Sequence, residues 1–191
     1  MSKLVQFLHQ DFFKLFLIVI FPQHTWTLYM AFRDVGWVAA RSDFSDALGL
    51  LSYALLFALA EGVLLFFAIL VVKAALPKKW GLKKQLAMTG SMVFILSLWA
   101  IVPQVYALSG YQIPKFFAQL MNVSGHPLWV LYGSALGASL VSIAIPVVLI
   151  LKKPAAAGKI FAILDRLTAL SVFYMVLDVF AVLNVILRNV R

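Results

Sequence analysis

Long apolar runs separated by short polar breaks dominate this chain. A helix needs about 20 mostly apolar residues to cross the hydrocarbon of a bilayer, because every backbone N–H and C=O must find its partner inside the segment. Five stretches meet that length, at about 12–32, 48–72, 86–108, 128–151 and 160–187. They predict an all-α, polytopic transmembrane helical bundle, with residues 1–191 forming a single membrane domain. The first stretch is the weakest, since Lys14, Pro22, Gln23 and His24 interrupt it, and four spans remain if it does not cross. Its short apolar run at 15–21 follows Lys3 and Lys14 as in a leader peptide. No small-x-small cleavage site follows at the right distance, however, and apolar residues resume through Phe32, so a retained helix is expected.

The breaks between spans carry structure of their own. In 113–123, Pro114 suits a first helical turn, Phe116, Phe117, Leu120 and Met121 share one face, and Lys115, Gln119 and Asn122 share the other. This pattern predicts a short helix lying in the membrane interface. Residues 33–46 are expected to hold another, with Ser42 or Asp43 capping the second span. The remaining loops, 73–85 and 152–159, carry Pro77, Pro154 and Gly158, which are expected to stop helices and turn the chain.

Composition fixes the solvent. The chain is 64% apolar and 12% charged with a mean hydropathy of +1.00, too little polar surface to cover a soluble fold. A lipid bilayer is therefore the expected surrounding. The net charge of +9 does not point to nucleic acid, because the basic residues sit beside apolar runs rather than on one helical face. They sort by loop instead. Lys3, Lys14, Lys73, Lys78, Lys79, Lys83, Lys84, Lys152, Lys153 and Lys159 fall on one side of a five-span chain, and Arg33, Arg41, Lys115, Arg188 and Arg191 on the other. Positive-inside bias then places the amino terminus in the cytoplasm and the carboxyl terminus outside, with Lys78, Lys79, Lys83, Lys84, Lys152 and Lys153 at anionic lipid headgroups. Trp26, Tyr29, Trp37, Tyr53, Tyr106, Tyr111, Trp129 and Tyr132 gather near the outer boundary, where an aromatic ring buries its body and wets its polar edge. Cysteine is absent, which excludes disulfides and thiolate chemistry.

Inside the spans the informative residues are the polar ones. Glu61 lies near the middle of the second span with no basic residue nearby in sequence. A charge there costs about 3 kcal/mol on insertion scales, so Glu61 is expected to face protein or water and to hold a partner or a proton. Ala54, Ala58 and Gly62 share its helical face and admit a close neighbour. On the fifth span Ser171, Tyr174, Asp178 and Ala181 recur as a polar and small stripe that should point into the bundle. If Asp178 meets Glu61, the two carboxyl groups would share a proton or a cation; if it meets Arg166 or His24, it forms a structural pair. His24 follows Pro22, whose missing N–H frees a carbonyl that the polar cluster is expected to satisfy. Tetrapyrrole ligation by His24 is not expected, because His9 and His126 lie at other depths, and no motif implies a cofactor or metal. Pro103-Gln104 and Pro146 mark expected kinks in the third and fourth spans. Gly133 and Gly137, with Ala138 and Ser142 beside them, form a small-residue helix-packing surface for the bundle or for a partner helix.

No nucleophile elbow, zinc-protease helix, phosphate-binding loop or acidic cluster for a divalent cation occurs. Two classes of function follow. One is a non-catalytic subunit or assembly protein that packs against other membrane proteins or against itself. The other is a small proton- or ion-coupled transporter using Glu61 and Asp178, with His24 and Gln104 as further polar contacts. A lipid-processing enzyme ranks last, because it would need polar residues clustered at one interface.

Overall fold

A computed structural model describes the backbone of residues 3–77, 79–110, 112 and 114–190, and side-chain surroundings from residue 12 onward except at 103, 106 and 107. The fold is an all-α bundle of α1 (Lys3–Arg33), α2 (Val35–Ala39), α3 (Phe44–Ala75), α4 (Leu82–Leu108), α5 (Lys115–Ser124), α6 (Pro127–Lys152) and α7 (Pro154–Asn189). Five of these, α1, α3, α4, α6 and α7, are long and apolar enough to cross a membrane. The chain is thus an integral, multi-pass membrane protein.

Local chemistry sets the ends of the helices. Asp43 caps α3, its carboxylate accepting the backbone N–H of Asp46 at 2.8 Å. Gly125, at φ +65°, closes α5 in the left-handed conformation that suits glycine. Pro77 follows the end of α3, with Leu76 before it in extended backbone. One loop expectation is corrected. Pro154 does not stop a helix but starts one, sitting in the first turn of α7 where its missing N–H costs nothing. Gly158 and Lys159 therefore lie inside α7, and Lys153 alone links α6 to α7.

α1 packs against α3, α4 and α7, and α7 packs against α1, α3, α4 and α6, while α6 also flanks α4 and carries α5 on its side. In the membrane windows 39% of α1 and 39% of α4 are buried by protein, against 11% of α6. The first span is the least hydropathic of the five, as its sequence predicts, yet it is among the most covered by protein. The residues that weaken it as a lipid-facing helix, Pro22, Gln23 and His24, are the ones it turns toward its neighbours. Leu15, Val19, Ile69, Leu86 and Val93 form the packed centre of α1, α3 and α4. A second cluster, Ala87, Met88, Ile150 and Ala157, ties α4 to the α6–α7 turn.

Polar latches sit at both ends. Where the lysine-rich loops gather, Lys14 Nζ lies 2.7 Å from Asp165 Oδ1, joining α1 to α7; Asp165 does not pair with its neighbour Arg166. At the opposite end Arg188 of α7 reaches Asp46 Oδ1 at 2.7 Å, while Asn184 and Asn189 donate at 2.8 Å to Ser52 Oγ and the Tyr53 hydroxyl. Gly49 leaves the space that the Arg188 guanidinium fills, since any side chain there would overlap it.

Candidate functional site: a polar groove at Glu61

Neighbouring residues of α1 lead to two separate polar assemblies inside the spans. Successive side chains on a helix point about 100° apart, so Gln23 and His24 face different partners.

His24 faces α7. Its ring is fully buried, Nε2 lies 2.9 and 3.0 Å from the two carboxylate oxygens of Asp178, and Nδ1 lies 3.2 Å from the Ile20 carbonyl. Because a carboxylate only accepts, His24 donates from Nε2. Tyr174 stacks on the imidazole at 5.7 Å between ring centroids. Thr25 donates its hydroxyl proton to the Phe21 carbonyl at 2.8 Å, so the 3.2 Å contact with Tyr174 is a bond donated by tyrosine. Ser171 donates to the Leu17 carbonyl at 2.7 Å. The whole Ser171, Tyr174 and Asp178 stripe is thereby spent on α1, and Ala181 at its end is buried. The α1 carbonyls engaged by this cluster, those of Leu17, Ile20 and Phe21, are not the one Pro22 frees, which belongs to Ile18, four residues before the proline. With both ring nitrogens against oxygen atoms, His24 has none left for a metal.

Gln23 faces the other way, into a groove of about 280 Å³ between α1, α3 and α4. Glu61 of α3, Ser97 and Gln104 of α4, and Pro22 and Trp26 of α1 line it, with Leu65, Leu96, Ala100 and Ile101 as apolar walls. Gln104 accepts the Trp26 indole N–H at 3.0 Å, which fixes its amide with the oxygen toward the ring. Gln23 Oε1 and Ser97 Oγ are buried without a hydrogen-bond partner. Glu61 is exposed at the groove mouth and has no hydrogen bond or ion pair among the described residues. Gly62 beside it abuts Ile20, where a methyl group would stand 3.2 Å from Cγ1, so the face around Glu61 admits α1 closely as its small residues imply. Glu61 and Asp178 are consequently not a pair: one opens on the groove and the other is bound to His24.

The groove gathers residues that sequence reasoning left unassigned. Gln23 was visible there only as an interruption, and Ser97 and Trp26 carry no signal, since a serine and an interfacial tryptophan are ordinary in membrane helices. A larger, mainly apolar cavity of about 650 Å³ lies beyond it, under α2, and shares Trp26 with the groove.

The packing surface on α6 divides in two. Ser142 accepts the Trp99 indole N–H at 3.0 Å on the side facing α4, with Ala138 half-buried. Gly133 and Gly137 are exposed, with nothing among the described residues within 4 Å of a side chain added there. Lys79, Lys83, Lys152 and Lys153 are exposed at one end of the bundle, and Lys84 lies 4.3 Å over the Trp80 ring. Lys78 lies outside the described residues. Among the described residues no three His, Asp or Glu side chains gather as a metal site.

Fold and site together define a membrane protein with five helices able to span and a polar groove opening between three of them. Comparison with protein-family models, curated proteins and solved structures finds no match.

Proposed function

We propose that this chain is a small membrane carrier, holding its solute or coupling ion in the groove at Glu61. One observation carries the reading: an unpartnered mid-span carboxyl group shares a groove with two buried polar atoms, Gln23 Oε1 and Ser97 Oγ, that lack hydrogen bonds. Leaving a buried polar group unpaired costs about 1–3 kcal/mol, and a carboxyl group in the membrane costs more. Three such groups in one place support a ligand that satisfies them. Asp178 takes no part in coupling in this reading, being committed to His24, so Glu61 carries it alone. The lysine-rich end is assigned to the cytoplasm, following the bias of the loops.

The test is reconstitution into liposomes with a trapped pH-sensitive dye, under imposed sodium, potassium and alkylammonium gradients. At least one gradient should drive proton movement in the natural protein, and Glu61→Gln should slow it by about tenfold or more, as loss of a central charged contact implies. Equal rates in the two proteins, or no flux above empty liposomes, remove the carrier reading.

A second reading, the non-catalytic assembly subunit, is favoured by α6. Its exposed Gly133 and Gly137 would let a helix of another membrane protein approach backbone to backbone. Mild-detergent purification that yields a stoichiometric membrane partner, lost on Gly137→Leu, would favour it.

A further inference from the structure

The groove's own chemistry narrows what it takes, provided that it is a binding site as read above. Its free polar atoms are acceptors together with the amide N–H groups of Gln23 and Gln104, and only the acceptors include a formal charge. Glu61 offers two carboxylate oxygens, Gln23 a bare carbonyl oxygen, and Ser97 a hydroxyl that both accepts and donates, while the Gln104 oxygen is already used by Trp26. Ser97 is only 8% exposed, so its hydroxyl is deep in the wall rather than at a wet rim. The one formal charge in the lining is negative. The complement of that charge is a cation, and N–H groups on it would bond to the free oxygens.

Size and lining separate the candidates for that cation. A water molecule occupies about 30 Å³ of liquid, so a groove of about 280 Å³ is several times larger than a bare metal ion requires. Hard metal ions also ask for six or more oxygen ligands, or a nearly full water shell, and the free oxygens here come from three side chains. A primary ammonium group has three N–H donors, one for each of Glu61, Gln23 and Ser97. The rest of the wall is hydrocarbon, Leu65, Leu96, Ala100 and Ile101, and Trp26 offers a ring of the kind that attracts cations. Glu61 is exposed in the middle of a membrane span, so the groove opens sideways to the lipid rather than only to an aqueous end.

We infer that the groove binds an amphiphilic primary amine, its ammonium group donating to Glu61, Gln23 Oε1 and Ser97 Oγ and its apolar body lying along α4 toward the hydrocarbon. The full chain in phosphatidylcholine nanodiscs, titrated with decylammonium against an empty-disc blank, tests this by calorimetry. Saturable one-to-one binding is expected. Decyltrimethylammonium, which keeps the charge and chain but has no N–H, should bind about tenfold or more weakly, as should decylammonium to Glu61→Gln. Ser97→Ala, which changes one atom of the wall, should weaken decylammonium by about threefold to tenfold. Each variant's melting curve shows that it is folded. Equal affinity for the trimethylated amine or for decanol, or Glu61-dependent binding of sodium in preference to decylammonium, overturns the ammonium assignment while leaving the groove a binding site. No saturable binding of any of these probes by the natural protein overturns the binding reading as well.

Discussion

At the scale of single residues, burial decides which polar groups are structural. His24 and Asp178 are shielded from solvent and bonded to each other, and breaking a buried pair leaves the survivor without compensation. Asp178→Ala should therefore destabilise the bundle by about 3 kcal/mol or more, whereas Asp178→Asn, which keeps an acceptor for the His24 N–H, should cost roughly half as much. Unfolding by SDS titration in mixed micelles measures both. Equal losses would mean that the hydrogen bond to His24 contributes nothing. Asp178 and His24 were each conspicuous in the sequence, because ionisable residues inside apolar runs are costly. Their pairing was one of several alternatives left open, because it joins side chains 154 residues apart and depends on α1 and α7 being neighbours. Glu61 was equally conspicuous, yet its setting rests on Gln23 and Ser97, which look unremarkable until three helices bring them together.

At the scale of helices, hydropathy and glycine spacing carried different amounts of information. The five spans, the α5 helix and the Asp43 cap all follow from local pattern, because backbone satisfaction in lipid and capping chemistry act within a few residues. The exceptions are informative. α1 is the span that local pattern rates lowest and one of the two that protein buries most, since a helix surrounded by helices needs less apolar surface than one facing lipid. Glycine spacing left two uses open, and among the described residues nothing lies within 4 Å of a side chain added at the conspicuous pair on α6, whereas Gly49, Gly62 and Gly90 receive Arg188, Ile20 and Leu164. Gly62→Leu should force α3 and α1 apart and cost about 1–3 kcal/mol, as overpacking does. Gly137→Leu should leave the isolated chain within about 0.5 kcal/mol of its natural stability. Thermal unfolding of the purified chain by circular dichroism compares them, and a loss at Gly137 as large as that at Gly62 would place an intramolecular neighbour on the α6 face.

At the scale of the whole molecule, the segregation of lysine from arginine becomes a statement about two ends of one bundle. The α3–α4 and α6–α7 connections, together with Lys14, bring most of the lysines to one end, and α2, α5 with Lys115, and the Arg188 latch occupy the other. Absence of cysteine makes the arrangement easy to probe, since any introduced thiol is the sole target of a membrane-impermeant maleimide. α4 alone separates the loop holding Lys79 from α5, so Lys79→Cys and Gln119→Cys must fall on opposite faces of the membrane if α4 crosses. Positive-inside bias expects labelling of intact cells at 119, and labelling at 79 only after permeabilisation. The reverse pattern would invert the orientation, and labelling of both in intact cells would deny that α4 spans. Cysteines appended to the two ends then report the parity of the spans: opposite faces require an odd number, as five gives, and the same face an even number, as four gives. α1 is the span to doubt on hydropathy alone, but withdrawing it would strip His24, Gln23 and Leu15 of the neighbours that bury them. The Asp178 and Glu61 environments would be lost together. Opposite faces are the expected result.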